Sequence, residues 1–147
     1  MSIEKKIHFE ITTPEKNVYR DEVESVSLPT TMGQITVLAN HIPLVASIEP
    51  GELIIRKDGK EVLMAISGGM LEVKDNNHII VLADTAEHAE EIDEARAEEA
   101  RKKAEGILKE KMEDATEYAA VAAKLQRELA RLRVARKHRT KKGVGID

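Results

Sequence analysis

Ile7, Phe9 and Ile11 alternate with His8, Glu10 and Thr12, the two-residue period of a strand with one buried face. Short apolar runs follow at close spacing, from Val23 to Leu28, Gln34 to Leu38, Leu44 to Ile48, Leu53 to Arg56, Val62 to Ile66, Met70 to Lys74 and Ile79 to Ala83. Asp58-Gly59 separates two of them and predicts a tight hairpin, because such a turn needs positive φ at both central positions. Asp75-Asn76-Asn77 predicts a second, longer turn, and Pro29, Pro43 and Pro50 fall between the runs, where a missing N–H breaks no ladder. Gly68-Gly69 lacks the following Lys-Ser/Thr and helix of a phosphate-binding loop and reads as a bulge or tight bend. Together these signals predict an antiparallel β-sandwich or flattened barrel.

The period changes at Asp84. Asp84 with Glu87 three residues on resembles a capping box, and it predicts a helix start with an acidic first turn. Ile92, Ala100, Ala104, Ile107, Leu108, Met112 and Ala115 then form a narrow stripe at helical spacing, while Tyr118, Ala122, Leu125, Leu129 and Leu132 step like a coiled-coil seam. Small residues opposite large ones predict two helices lying against each other as an antiparallel hairpin, with Gly106 a weak point costing about 1 kcal/mol relative to Ala. The joint Glu113-Asp114-Ala115-Thr116-Glu117 contains neither Gly nor Pro, so the same residues can also run on as an extended rod. With short, alanine-rich seams the two states are expected to differ by only a few kcal/mol. The expected organisation is α+β: a β domain over 1–86, a helical hairpin over 87–138 and a basic, disordered tail over 139–147.

Charge sharpens this division. Residues 87–117 are mainly acidic, whereas from Tyr118 to Lys142 Glu128 is the only acid, set against Lys124, Arg127, Arg131, Arg133, Arg136, Lys137, Arg139, Lys141 and Lys142. The net charge of -4 therefore conceals a basic end suited to a polyanionic or acidic partner. Lys124, Arg127, Arg131 and His138 share one side of the second helix, turned away from the Leu129 seam. There is no cysteine, so thiol chemistry is excluded. The histidines His8, His41 and His78 lack metal-ligand spacing, and no catalytic constellation stands out. The N-terminus lacks the apolar stretch of a signal peptide and no segment approaches a membrane span, so a soluble protein is expected.

The run from Leu28 to Leu44, followed by Pro50-Gly51-Glu52-Leu53, Ser67-Gly68-Gly69-Met70-Leu71-Glu72-Val73, Ile79 to Ala86 and Ile92-Asp93-Glu94-Ala95-Arg96-Ala97, resembles the epsilon subunit of bacterial F-type ATP synthases. The resemblance spans roughly residues 5–136 and departs at Ala39, where the family usually has proline, and in the long basic tail after Arg136. It implies a non-catalytic, regulatory and structural subunit of a proton- or sodium-translocating complex, peripheral on the cytoplasmic face of the membrane and attached only through that complex. The implied partners are the gamma subunit, the ring of c subunits, and the alpha and beta subunits, with Gly33, Asn40, His41 and Pro43 as the rotor contact loop. Lys124, Arg127, Arg131, Arg133 and Arg136 are the implied inhibitory face, blocking ATP hydrolysis when the helices extend. Ile92, Asp93 and Arg96, with Arg127 and Arg131, match a nucleotide-binding motif carried by some members, which implies regulatory ATP but no required cofactor. Two other classes compete: a free-standing ATP-sensing module, and a nucleic-acid-binding coiled coil, which has only the basic tail in its favour and lacks aromatics for base stacking.

Overall fold

The structure is a computed structural model that describes residues 6–110 and 114–143. Its strands are β1 (Ile7–Thr12), β2 (Asn17–Val23), β3 (Ser25–Thr30), β4 (Gly33–Leu38), β5 (Leu44–Ile48), β6 (Gly51–Lys57), β7 (Lys60–Val73) and β8 (His78–His88). A 3-10 turn at Ala89–Glu91 leads to helices α1 (Glu94–Lys109) and α2 (Ala115–Gly143). The strand order is β2-β1-β8-β7-β5-β3-β4, with β6 joined to β3 and β7.

Strand β7 organises the sandwich. Its first half pairs with β6 and its second half with β5, while β8 follows both halves. The two runs expected to be separate are thus one strand that passes from one layer to the other. Gly68 and Gly69 sit at the crossing, with φ of +20° and +146°, and a side chain on Gly69 would collide with the Leu82 carbonyl oxygen. The ladder keeps its register, Ser67 opposite Thr85 and Gly69 opposite Ala83, so the glycines permit close approach without inserting a residue.

Several local expectations are corrected. β1 pairs with β8 in parallel, because the first and last strands lie side by side and the rest of the domain supplies the crossover. β2 went unpredicted: as an edge strand with a single fully buried side chain, Val23, it has too few apolar positions to show a period. Pro29 lies inside β3, past Ser27, where β6 has already left the ladder. β8 continues to His88, so Asp84 and Glu87 are strand residues and cap no helix. The helix starts instead at Asp93, whose Oδ1 accepts from the Arg96 backbone N–H at 3.1 Å. At the far end Arg139–Gly143 continue α2 rather than lying in a disordered tail. Met112, Glu113 and residues 144–147 fall outside the described residues.

Two apolar clusters explain how the halves meet. Phe9, Val26, Leu28, Leu53, Ile55, Met64, Ile66, Leu71 and Val81 belong to the sandwich core. Ile54, Leu63 and Ala65, which alternate with these on β6 and β7, point to the other side, where Ala89, Ile92, Val134 and Ala135 cover them. Leu53-Ile54-Ile55 and Leu63-Met64-Ala65-Ile66 are apolar without alternation because these strands are covered on both faces. α2 lies on β6 and β7 by one side and along α1 by another, with Ala97 and Ala104 of α1 buried. α1 ends at Lys109, Glu110 is extended, and α2 restarts with Asp114 Oδ1 accepting from the N–H groups of Thr116 (2.8 Å) and Glu117 (3.3 Å).

Candidate functional site

Arg131, Arg136, Lys137, Arg139 and Lys141 of α2 are held by acids of the same chain. Arg131 is hydrogen-bonded to Glu87 on β8 and, at 2.8 Å, to Glu128. Burial disfavours the Arg131 charge, but those two carboxylates outweigh it and hold its pKa above the ordinary arginine value. Glu128 is itself almost fully buried, its carboxylate satisfied by Arg131. Arg136 reaches Glu94 at 3.2 Å and Glu98 at 2.9 Å on α1. Farther along, Lys137 reaches Glu52 on β6 at 2.6 Å and Lys141 reaches Glu61 on β7 at 2.8 Å. The hydrogen bond from Lys141 holds the Glu61 carboxyl below the usual glutamate range despite partial burial. A carboxylate with a depressed pKa stabilises the closed state above its ordinary value, and that contribution is lost as pH falls through the depressed one.

The basic stripe expected to turn away from the Leu129 seam is only partly open to solvent. Lys124, Arg127 and Arg131 do share one side of α2, on which Arg127 and Arg131 turn toward the end of β8 while Lys124 stays exposed. At about 100° per residue Arg133 and Arg136 lie on other sides of the helix, so the five residues of the implied inhibitory face do not form one face. Arg133 is exposed.

Asp93, Arg96, Arg127 and Arg131 line one cleft of about 610 Å3 between α1 and α2, together with Glu91, Glu99, Ala100, Lys103, Lys124 and Glu128. Ile92 does not line it; it is buried beneath, in the cluster under α2. Five cations and four acids line the cleft. Among the described residues Arg96, Lys103 and Lys124 have no carboxylate within ion-pair distance, and Arg127 has only Glu128 at 3.8 Å. Lys103 went unremarked in the sequence, although it stands one helical turn from Glu99 on the stripe that continues Arg96.

The implied contact loop is not one loop. Gly33 begins β4, with φ of +106° and its carbonyl accepting from Thr30 Oγ1 at 2.6 Å, whereas Asn40, His41 and Pro43 follow its far end. A six-residue strand separates them by roughly 17–20 Å. Asn40, at φ of +67°, is tied to Asn77 of the β7–β8 turn by two hydrogen bonds, so this end is well fixed even with Ala39 in place of proline. Exposed Met32 lies at the Gly33 end and exposed Ile42 at the other. Pairing also brings His8 beside His78, with Glu22 and Glu10 near them, which sequence spacing cannot reveal; no group with metal-ligand composition occurs among the described residues.

Residues 6–89 match the family described as "ATP synthase, Delta/Epsilon chain, beta-sandwich domain", and residues 90–136 match "ATP synthase, Delta/Epsilon chain, long alpha-helix domain". The ATP synthase epsilon chain of Chloroflexus aggregans is 45% identical over 136 residues, covering 92% of this chain and 96% of the relative. That of Dehalococcoides mccartyi is 40% identical, covering 91% and 95%. Among solved structures, a chain in the cryo-EM structure of the Euglena gracilis mitochondrial ATP synthase superposes with a TM-score of 0.75 at 23% identity, covering 88% of this chain and 81% of that one, a likeness of fold. With both domains matched in order and sequence identity sustained across them, the chain belongs to the ATP synthase epsilon-chain family.

Proposed function

We propose that this chain is a non-catalytic central-stalk subunit of an F-type ATP synthase, in which the sandwich is the fixed rotor part and the helical pair is a movable regulatory arm. The sandwich docks on the gamma subunit and the c ring, and the arm restrains ATP hydrolysis when α2 leaves its seat and extends toward the alpha and beta subunits. No helix among the described residues is long and apolar enough to cross a membrane, and attachment to the cytoplasmic face runs through the complex. One observation carries the reading: the second apolar cluster and its ion pairs form a separate seat for α2, outside the sandwich core. A helix held by a separate small cluster and surface charges can leave without unfolding the strands. An acidic partner surface would then take over from Glu52, Glu61, Glu87, Glu94 and Glu98 as the counter-charge of α2. The ATP hydrolysis rate of the assembled complex, with the full chain against a chain ending at His88, tests this reading.

A nucleotide reading of the interhelical cleft is favoured by Arg96, Lys103 and Lys124, which face it without an ion-pair partner among the described residues, and by Arg127, whose one carboxylate partner is Glu128 at 3.8 Å. Guanidinium and ammonium groups at this spacing suit a polyphosphate, and Asp93 and Glu91 offer acceptors for an adenine amino group or a ribose. Bound ATP would bridge α1 and α2 and favour the closed arm. Calorimetric titration of the isolated chain should give a dissociation constant between micromolar and millimolar, weakened about tenfold or more by Arg127→Ala, as expected for loss of a charge-assisted contact. A flat titration at several millimolar ATP would remove this part of the reading and leave the mechanical part intact.

A further inference from the structure

The match to the family's helical domain ends at Arg136, yet α2 continues through Gly143, and nearly every described side chain in that extension is engaged. Lys137 and Lys141, one helical turn apart, reach Glu52 on β6 (2.6 Å) and Glu61 on β7 (2.8 Å). Arg139 projects from another side and reaches Glu94 in the first turn of α1 at 3.0 Å, the carboxylate that also receives Arg136. Between them the His138 ring lines a small cavity of about 140 Å3 with Leu63, His88, Ala89 and Glu90. The extension thus touches the two strands under the arm, the 3-10 turn at its hinge and the start of the other helix.

We propose that Lys137, Arg139 and Lys141 form an ionic clasp that ties α2 to both the sandwich and α1 and sets how readily the helical arm opens in this chain. The clasp concerns closure alone and stands whether or not the open arm inhibits hydrolysis. An isolated exposed ion pair contributes little, because side-chain ordering and solvent screening offset the attraction. Here the pairs are joined, Glu94 serving two arginines, and the Glu52 side chain is only 15% exposed, so screening is weaker there. Their distribution over three elements also means that opening breaks them together rather than one at a time.

Amide hydrogen exchange of the full-length chain, read separately in α2 and in the strands, tests the clasp. The triple variant Lys137→Gln, Arg139→Gln, Lys141→Gln should speed exchange in α2 by roughly tenfold, about 1.4 kcal/mol of opening free energy, with β1 and β7 unchanged. Raising sodium chloride from about 0.05 M to about 1 M should shift the parent chain the same way and the triple variant much less. Lys137→Glu should open the arm further, and adding Glu52→Lys should restore protection, which distinguishes a lost charge pair from local misfolding. Unchanged α2 exchange in the triple variant, or failure of the reversed pair to restore protection, would overturn the proposal.

Discussion

Replacing Val134 with Asp should free α2 from the sandwich while leaving the strands folded. Val134 has no exposed surface and sits in the apolar cluster with Ile54, Leu63 and Ala65. Burying an unpaired charge there costs about 3–5 kcal/mol, comparable with the whole margin expected for a small, alanine-rich interface, so the helix leaves rather than burying the charge. The sandwich core has its own residues and shares none with this cluster. Hydrogen exchange should then show α2 losing protection by two or more orders of magnitude while Ile7–Thr12 keeps its own. Simultaneous loss in both would mean that arm and sandwich form one cooperative unit, and a hinged arm would be excluded.

Gly69→Ala should have the opposite distribution, damaging the sandwich itself. The position combines φ of +146°, where a side chain is strained, with an Ala83 Cα only 2.9 Å from where the new Cβ would stand. Neither obstacle is a flexible side-chain tip, and relief requires β7 and β8 to part where β7 changes layers. A loss on the order of 3–5 kcal/mol is expected, large against the total stability of a domain this size. Urea unfolding of the variant should show a much lower midpoint; Gly106→Ala is the control, since a Cβ there meets nothing and stability should hold or rise slightly. A Gly69→Ala midpoint equal to that of the parent would show that the layer crossing relaxes freely.

What the sequence made legible follows from which interactions are periodic. β1 announced itself by strict alternation, and the hairpin at Asp58-Gly59 by residues that tolerate positive φ. The helices were visible through Ala104 and Leu132. Doubly covered strands hide their partner: nothing local says that Ile54 and Leu63 await a helix some eighty residues on, though their unbroken apolar runs were the available signal. The helix start was misplaced because Asp84-x-x-Glu87 and Asp93-x-x-Arg96 both offer an Asp that can cap, and the β7–β8 ladder settles the first as strand. Of the residues grouped by motif, Asp93, Arg96, Arg127 and Arg131 line one cleft and Ile92 does not, whereas Gly33 was joined to Asn40 and His41 although a strand holds them apart. The seat of α2 was beyond reach for a simpler reason, since ion pairs such as Lys137 with Glu52 link residues with no sequence relation at all.

The most direct test of a movable, restraining arm is the ATP hydrolysis rate of the assembled complex carrying either the full chain or a chain ending at His88, measured with subunit composition checked in the same preparations. Removing both helices leaves every strand in place and takes away only the seated arm. A movable, restraining arm predicts an unchanged complement of subunits and hydrolysis several-fold faster in the short form. Equal hydrolysis rates in two fully assembled complexes would contradict it, leaving the helical pair a fixed structural element with no restraining role.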